Sequence, residues 1–148
     1  MKEAFITIQG KQRQAQSETE SFEFVTVGTY LYDTKKSVFS YMESEVTGLL
    51  GTKTSFEMID ETVHLVRKGT LQAEIILNRD KKHSFLYETP YGAYAMNVST
   101  RYIHCELNAE GGTVEIDYTL DSNGMLISEN HFYIQIKVQA NKEKEDGK

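Results

Sequence analysis

The sequence predicts an all-β chain folded as a single antiparallel meander barrel of about eight to ten strands. Three observations carry this. Between residues 113 and 139, Val114, Ile116, Tyr118 and Leu120 interleave with Glu115, Asp117, Thr119 and Asp121, and after Ser122, Asn123 and Gly124 the pattern resumes as Phe132, Ile134, Ile136 and Val138 against Tyr133, Gln135, Lys137 and Gln139. A period of two sends alternate side chains to opposite faces, so these are two half-buried strands joined by a turn. The composition agrees, with nine Tyr, seven Phe and no Trp, because aromatic and β-branched residues favour pleated surfaces. Similar short runs, each bounded by turn residues, recur along the whole chain, and closing such a meander removes the open edges that invite aggregation.

Taken in order, Ala4, Ile6 and Ile8 mark a strand over 3–13, and the polar stretch Gln12 to Ser21 reads as a loop. A run over 22–32 ends at Asp33-Thr34-Lys35-Lys36, where the Asp carboxylate can hold a tight turn. Phe39 and Tyr41 share a phase in the third run, Ser37 to Glu43. Ser44 to Leu50 reads as one helical turn bracketed by Gly48 and Gly51. Thr52, Thr54, Phe56 and Met58 form a fourth strand that Asp60-Glu61 turns back into Val63, Leu65 and Arg67, closed by Gly69. Ala73 to Asn78 follows, then the charged turn Arg79-Asp80-Lys81-Lys82 and the run Phe85, Tyr87, Thr89. Pro90 breaks the ladder it cannot donate to. The next strand carries Tyr94, Met96 and Val98, then slips phase near Arg101 to Ile103, Cys105 and Leu107, which predicts a bulge. Glu110-Gly111-Gly112 and Asp121-Ser122-Asn123-Gly124 supply the last two turns, where Asn and Gly accept positive φ.

A length of 148 residues suits one domain, expected over 1–140, with the half-charged segment 141–148 as a disordered tail. The formal charge of −6 excludes loose binding to nucleic acid, which needs clustered Lys and Arg. No apolar run approaches the roughly 20 residues of a membrane-spanning helix. Cys105 is the only cysteine, so no internal disulfide forms, and with the polar start Met1-Lys2-Glu3 this points to the cytoplasm. Flanked by Ile103 and Leu107, the thiol reads as a small buried hydrophobe. The sequence leaves the oligomeric state open between monomer and homodimer.

The candidate site follows from strand parity. Arg67 shares a face with Val63 and Leu65, so its guanidinium points inward with them, and a buried charge needs a partner. One reading makes Arg67 the anchor of a ligand carboxylate or phosphate, helped by hydroxyls of the in-phase Tyr87, Tyr94 and Tyr118. The other pairs Arg67 with Glu43, in phase with Phe39 and Tyr41, as an ion pair that plugs one end of the barrel and needs no ligand. Tyr30, Tyr32, Tyr41, Thr52, Thr54 and Thr89 are candidates to line a pocket mouth.

The sequence carries no signature of catalysis, metal or cofactor. His64, His83, His104 and His131 show no compact ligand spacing and read as exposed. Glu115 and Asp117 lie two apart on the solvated face and make a poor acid–base pair, because that chemistry wants one of the two buried. Phosphate loops, dinucleotide loops and nucleophile elbows are absent. The expectation is a non-catalytic barrel binding a small anionic or amphipathic molecule without cofactor or metal. The alternative is a filled barrel acting as a structural or protein-interaction module, with Tyr91 and Tyr133 as surface aromatics.

The segment Arg67-Lys68-Gly69, the later Thr89-Pro90-Tyr91-Gly92 followed by in-phase Tyr94 and Met96, and the strand of Tyr118 resemble the YwiB-like barrel proteins of Gram-positive bacteria over residues 3 to about 139. The resemblance implies a cytoplasmic calycin-like barrel of unknown function, and it brings no ligand or catalytic residue with it. Two better-known calycin types fit poorly. Without Trp the chain lacks a lipocalin's Gly-x-Trp signature, and the short segment Gln14 to Ser21 has no room for the helical lid of a fatty-acid-binding protein.

Overall fold

The structure, a computed structural model, describes residues 1–139; the segment expected as a charged tail lies outside them. Ten strands run β1 (Lys2–Gln14), β2 (Thr19–Leu31), β3 (Lys36–Met42), β4 (Thr52–Ile59), β5 (Thr62–Gly69), β6 (Ala73–Asn78), β7 (Lys82–Thr89), β8 (Gly92–Asn108), β9 (Gly111–Ser122) and β10 (Met125–Val138). They form one antiparallel sheet in the order β6-β5-β4-β3-β2-β1-β10-β9-β8-β7. The first and last strands lie side by side, Ile6 opposite Ile136 and Ile8 opposite Ile134. The sheet curls until its two ends meet, and a reciprocal pair of backbone hydrogen bonds, each 2.9 Å, joins Gln72 to Glu88. Gln72 immediately precedes β6, whose own residues do not pair with β7, so the barrel is nearly closed.

Inward parity fills the barrel. Ile6, Ile8, Phe39, Phe56, Leu65, Ile75, Leu77, Val98, Val114, Ile116, Ile134 and Ile136 are all buried. Phe39 and Phe56 face each other across β3 and β4 with ring centroids 4.7 Å apart and planes within 11°. Met96 and Leu120, expected to be buried with them, are half-buried because they border a cavity. Gln135 and Lys137 are exposed, whereas Glu115 and Asp117 are half-buried, Glu115 against the His131 ring and Asp117 in an ion pair with Arg101. The turns behave as their residues dictate. Asp33 Oδ1 accepts from Lys35 N at 2.9 Å, Asn123 and Gly124 take φ values of 53° and 80°, and the register slips between Thr100 and Tyr102.

Four expectations need correction. The polar stretch Gln12 to Ser21 is mostly strand, since β1 and β2 pair out to Arg13 and Thr19; polarity there reflects a largely solvent-exposed hairpin, which an Arg13–Glu129 ion pair ties to β10. Cys105 is exposed: β7 pairs with β8 only as far as Ser99, and past that point the inward face is covered at Ile103 but not at Cys105. His83 is turned partly inward, its Nε2 buried without a hydrogen-bond partner, since it keeps the parity of Phe85 despite the charged turn beside it. Tyr30 and Tyr32 do not line a mouth: the buried Tyr30 hydroxyl donates to Asn108 O at 2.7 Å, and Tyr32 is exposed.

Candidate functional site

Beyond Met42 the chain leaves β3, but Glu43 N still donates to Thr52 O at 2.8 Å, which keeps the Glu43 side chain on the inner face. Ser44 then caps a single 3-10 turn, Glu45–Thr47, its hydroxyl accepting from Val46 N. That turn swings Thr47 back over Glu43. Thr47 Oγ1 donates to Glu43 Oε1 at 3.0 Å, and Thr54 Oγ1, from the adjacent strand, donates to Oε2 at 2.5 Å. With only 1 % of its side chain exposed, the carboxylate has exchanged water for hydroxyls, as a buried charge must.

Arg67 lies directly across β4 and β5 from Thr54, so the register brings it toward the same carboxylate. The expected ion pair forms, but loosely, with Nε 4.0 Å from Glu43 Oε2. Nε is buried and has no hydrogen-bond partner. A guanidinium offers five donors in a fixed fork, and here the one nearest the carboxylate goes unused.

Arg67 and Glu43 face a cavity of about 260 Å³ at the end of the barrel. One wall is apolar, built from Ile8, Phe22, Met96, Leu120 and Phe132. Phe22 meets Phe132 edge to face at 6.0 Å, and Phe132 leans on Tyr118 at the same separation. Opposite Phe22 stands Gly10, where a Cβ would lie 2.3 Å from the phenyl ring, so the missing side chain gives that ring its place. The other wall carries Tyr41, Tyr87 and Tyr118 around the ion pair. Burial first, then the Glu43 carboxylate, pushes the Tyr41 hydroxyl well above its usual pKa. Burial raises Tyr118 too, opposed in part by the Arg67 charge. Both phenols therefore stay protonated as donors. Two other grooves are larger and more open, about 640 and 370 Å³; the first runs past Gln9, Lys11, Phe22, Glu23 and Tyr133, and the second, bordered by Val66, Lys68, Glu74 and Leu86, also touches Arg67.

Of the expected site residues, the structure thus gathers Arg67, Glu43, Tyr87 and Tyr118 around one cavity and leaves out Tyr94. Tyr94 pairs with Tyr87, as parity requires, yet is 49 % exposed. The β7–β8 hairpin carries it past the barrel rim. Sequence reasoning missed Thr47, Ser128 and Asn130, which also border the cavity. Ser128 and Asn130 are buried and bonded to each other at 3.0 Å, and they share the even parity of Phe132 and Ile134, a signal sufficient to find them. Thr47 comes from an irregular turn with no periodicity to read. Among the described residues no three His, Cys, Asp or Glu side chains are grouped to hold a metal ion, and no helix is long and apolar enough to cross a membrane.

A family model described as a domain of unknown function, DUF1934, matches residues 6–134. The chain belongs to the DUF1934 family. Its fold is similar to the crystal structure of the ywiB protein from Bacillus subtilis, at a TM-score of 0.81 and 19 % sequence identity, covering 94 % of this chain and 93 % of that one. At that identity the likeness speaks for the DUF1934 barrel as a fold. No curated protein matches the chain.

Proposed function

We propose that this barrel is a non-catalytic carrier or sensor that binds a small amphipathic anion in the cavity at its end, with Arg67 as the anchor. The observation that supports this above the others is Arg67 Nε, buried beside a cavity without a hydrogen-bond partner. Leaving a buried charged donor unsatisfied costs more than a typical hydrogen bond gains, and a ligand acceptor relieves that cost. The tyrosine hydroxyls add donors, and the wall of Phe22, Met96, Leu120 and Phe132 offers an apolar body its place. Ligand sites combine such apolar lining with a few convergent polar groups.

The alternative, a filled barrel serving only as an interaction module, leaves about 260 Å³ beside Arg67 without a role. An exposed lone thiol at Cys105 suits a reducing compartment, so the cytoplasm is the proposed location.

Calorimetric titration with heptanoate tests the proposal. Binding to the unmodified chain, lost by at least tenfold in Arg67→Met and unchanged in the outer-face control Arg101→Met, is the expected result. Equal affinity in all three proteins would remove Arg67 from the site and the proposal with it.

A further inference from the structure

We infer that Glu43 sets the charge of the ligand, so that the cavity accepts a singly charged group such as a carboxylate and rejects a dianion such as a phosphate monoester. The inference rests on the binding role proposed for the cavity and specifies its ligand class. Among the described residues, Arg67 is the one cation bordering the cavity and Glu43 the one anion. They stand 4.0 Å apart, so the cavity wall is electrically neutral before any ligand arrives.

Glu43 does not depend on Arg67 for its hydrogen bonds, because Thr47 and Thr54 occupy both of its oxygens. It is fixed in place whether or not Arg67 turns to a ligand. A guest acceptor about 2.8 Å from Nε then sits at most about 7 Å from the Glu43 carboxylate. At an effective dielectric of about 20, repulsion at that range opposes each unit of guest charge by about fiftyfold in affinity.

The first negative charge meets unspent guanidinium donors and tyrosine hydroxyls, whose hydrogen bonds to an ionised acceptor are the strong kind. The second must leave water with no further cation to receive it, and desolvation of an unpaired charge is the dominant cost in such a site. Glu43 is therefore a selectivity residue, and it need not touch the ligand to act.

The test compares three probes of equal size on the full chain at pH 8: heptanoate, butyl phosphate and methyl propyl phosphate, an isomer of butyl phosphate whose ester methyl leaves a single negative charge. Heptanoate and methyl propyl phosphate should both bind, with butyl phosphate at least tenfold weaker than either. In Glu43→Gln, which keeps the shape and the acceptor oxygen, the handicap of butyl phosphate relative to methyl propyl phosphate should shrink by at least tenfold. Equal binding of all three by the unmodified chain, or a ratio that Glu43→Gln leaves unmoved, would overturn the inference while the binding role stands. Failure of every probe to bind would instead overturn the binding role. Should Glu43→Gln not fold, the three-probe comparison on the unmodified chain decides alone.

Discussion

Arg67 Nε stands 4.0 Å from Glu43 Oε2, while Thr54 Oγ1 lies 2.5 Å from that same oxygen, so the carboxylate is held by its hydroxyl neighbours more closely than by its counter-ion. A buried pair that relies on mutual hydrogen bonds loses about 3 to 5 kcal/mol when one member is removed. Here the carboxylate keeps its threonines when Arg67 is lost. A double-mutant cycle of Arg67→Met with Glu43→Gln, followed by urea denaturation, should return a coupling of at most about 4 kcal/mol, the Coulomb attraction of unit charges at that separation and an effective dielectric of about 20. A coupling well above that would mark the pair as a hydrogen-bonded structural plug.

Cavity volume limits the guest. At about 30 Å³ per water-sized group, the roughly 260 Å³ available holds about nine non-hydrogen atoms, the size of heptanoate. Across linear carboxylates from butanoate upward, affinity should rise by about 0.8 kcal/mol per added methylene and level off near heptanoate. A rise that continues unbroken to dodecanoate would mean that the chain lies along an outer groove.

Three tyrosines tie stability to alkaline pH. Burial, with a smaller push from Tyr32, raises Tyr30 to about 12, and burial raises Tyr41 and Tyr118 as well. A phenol whose pKa is higher in the folded than in the unfolded chain contributes its full stability below about pH 10, the unfolded value. That contribution falls as pH climbs from there through the folded value. Denaturation midpoints should therefore be flat near pH 8 to 9 and drop steeply above pH 10, with a shallower drop in Tyr41→Phe. An ultraviolet titration in which all nine tyrosines ionise together near pH 10 while the chain stays folded would contradict this.

The barrel wall is most sensitive where Phe39 stacks on Phe56. Both rings are at most 2 % exposed, and Phe39→Ala should cost about 3 to 5 kcal/mol. Gly111 is a second weak point, for a different reason. It takes φ 125°, and a Cβ there would stand 2.0 Å from the Ile136 carbonyl oxygen. Gly111→Ala should therefore cost about 2 kcal/mol or more, read from the same denaturation curves. Loss of less than about 0.5 kcal/mol in either variant would refute the assigned packing.

Much of this barrel was legible because parity is a binary code. Once Val63 and Leu65 face inward, Arg67 follows, and the same rule places Glu43 with Tyr41 and Tyr118 with Ile116. Parity says nothing of where a strand outruns its neighbour, which is why Tyr94 and Cys105 keep the inward phase and still meet solvent. It is equally silent on irregular backbone, so Thr47 and its hold on Glu43 were invisible. Whether the Arg67–Glu43 pair is tight or loose depends on tenths of an ångström set by packing across β3, β4 and β5, which no linear pattern encodes.

The Arg67 Nε–H resonance reports most directly on the central claim, because that buried donor lacks a partner. In a nitrogen-15 titration with heptanoate, it should move to a new saturating position, with a midpoint matching the calorimetric dissociation constant. A resonance that stays fixed while heptanoate saturates the protein would contradict an Arg67-anchored site in the barrel.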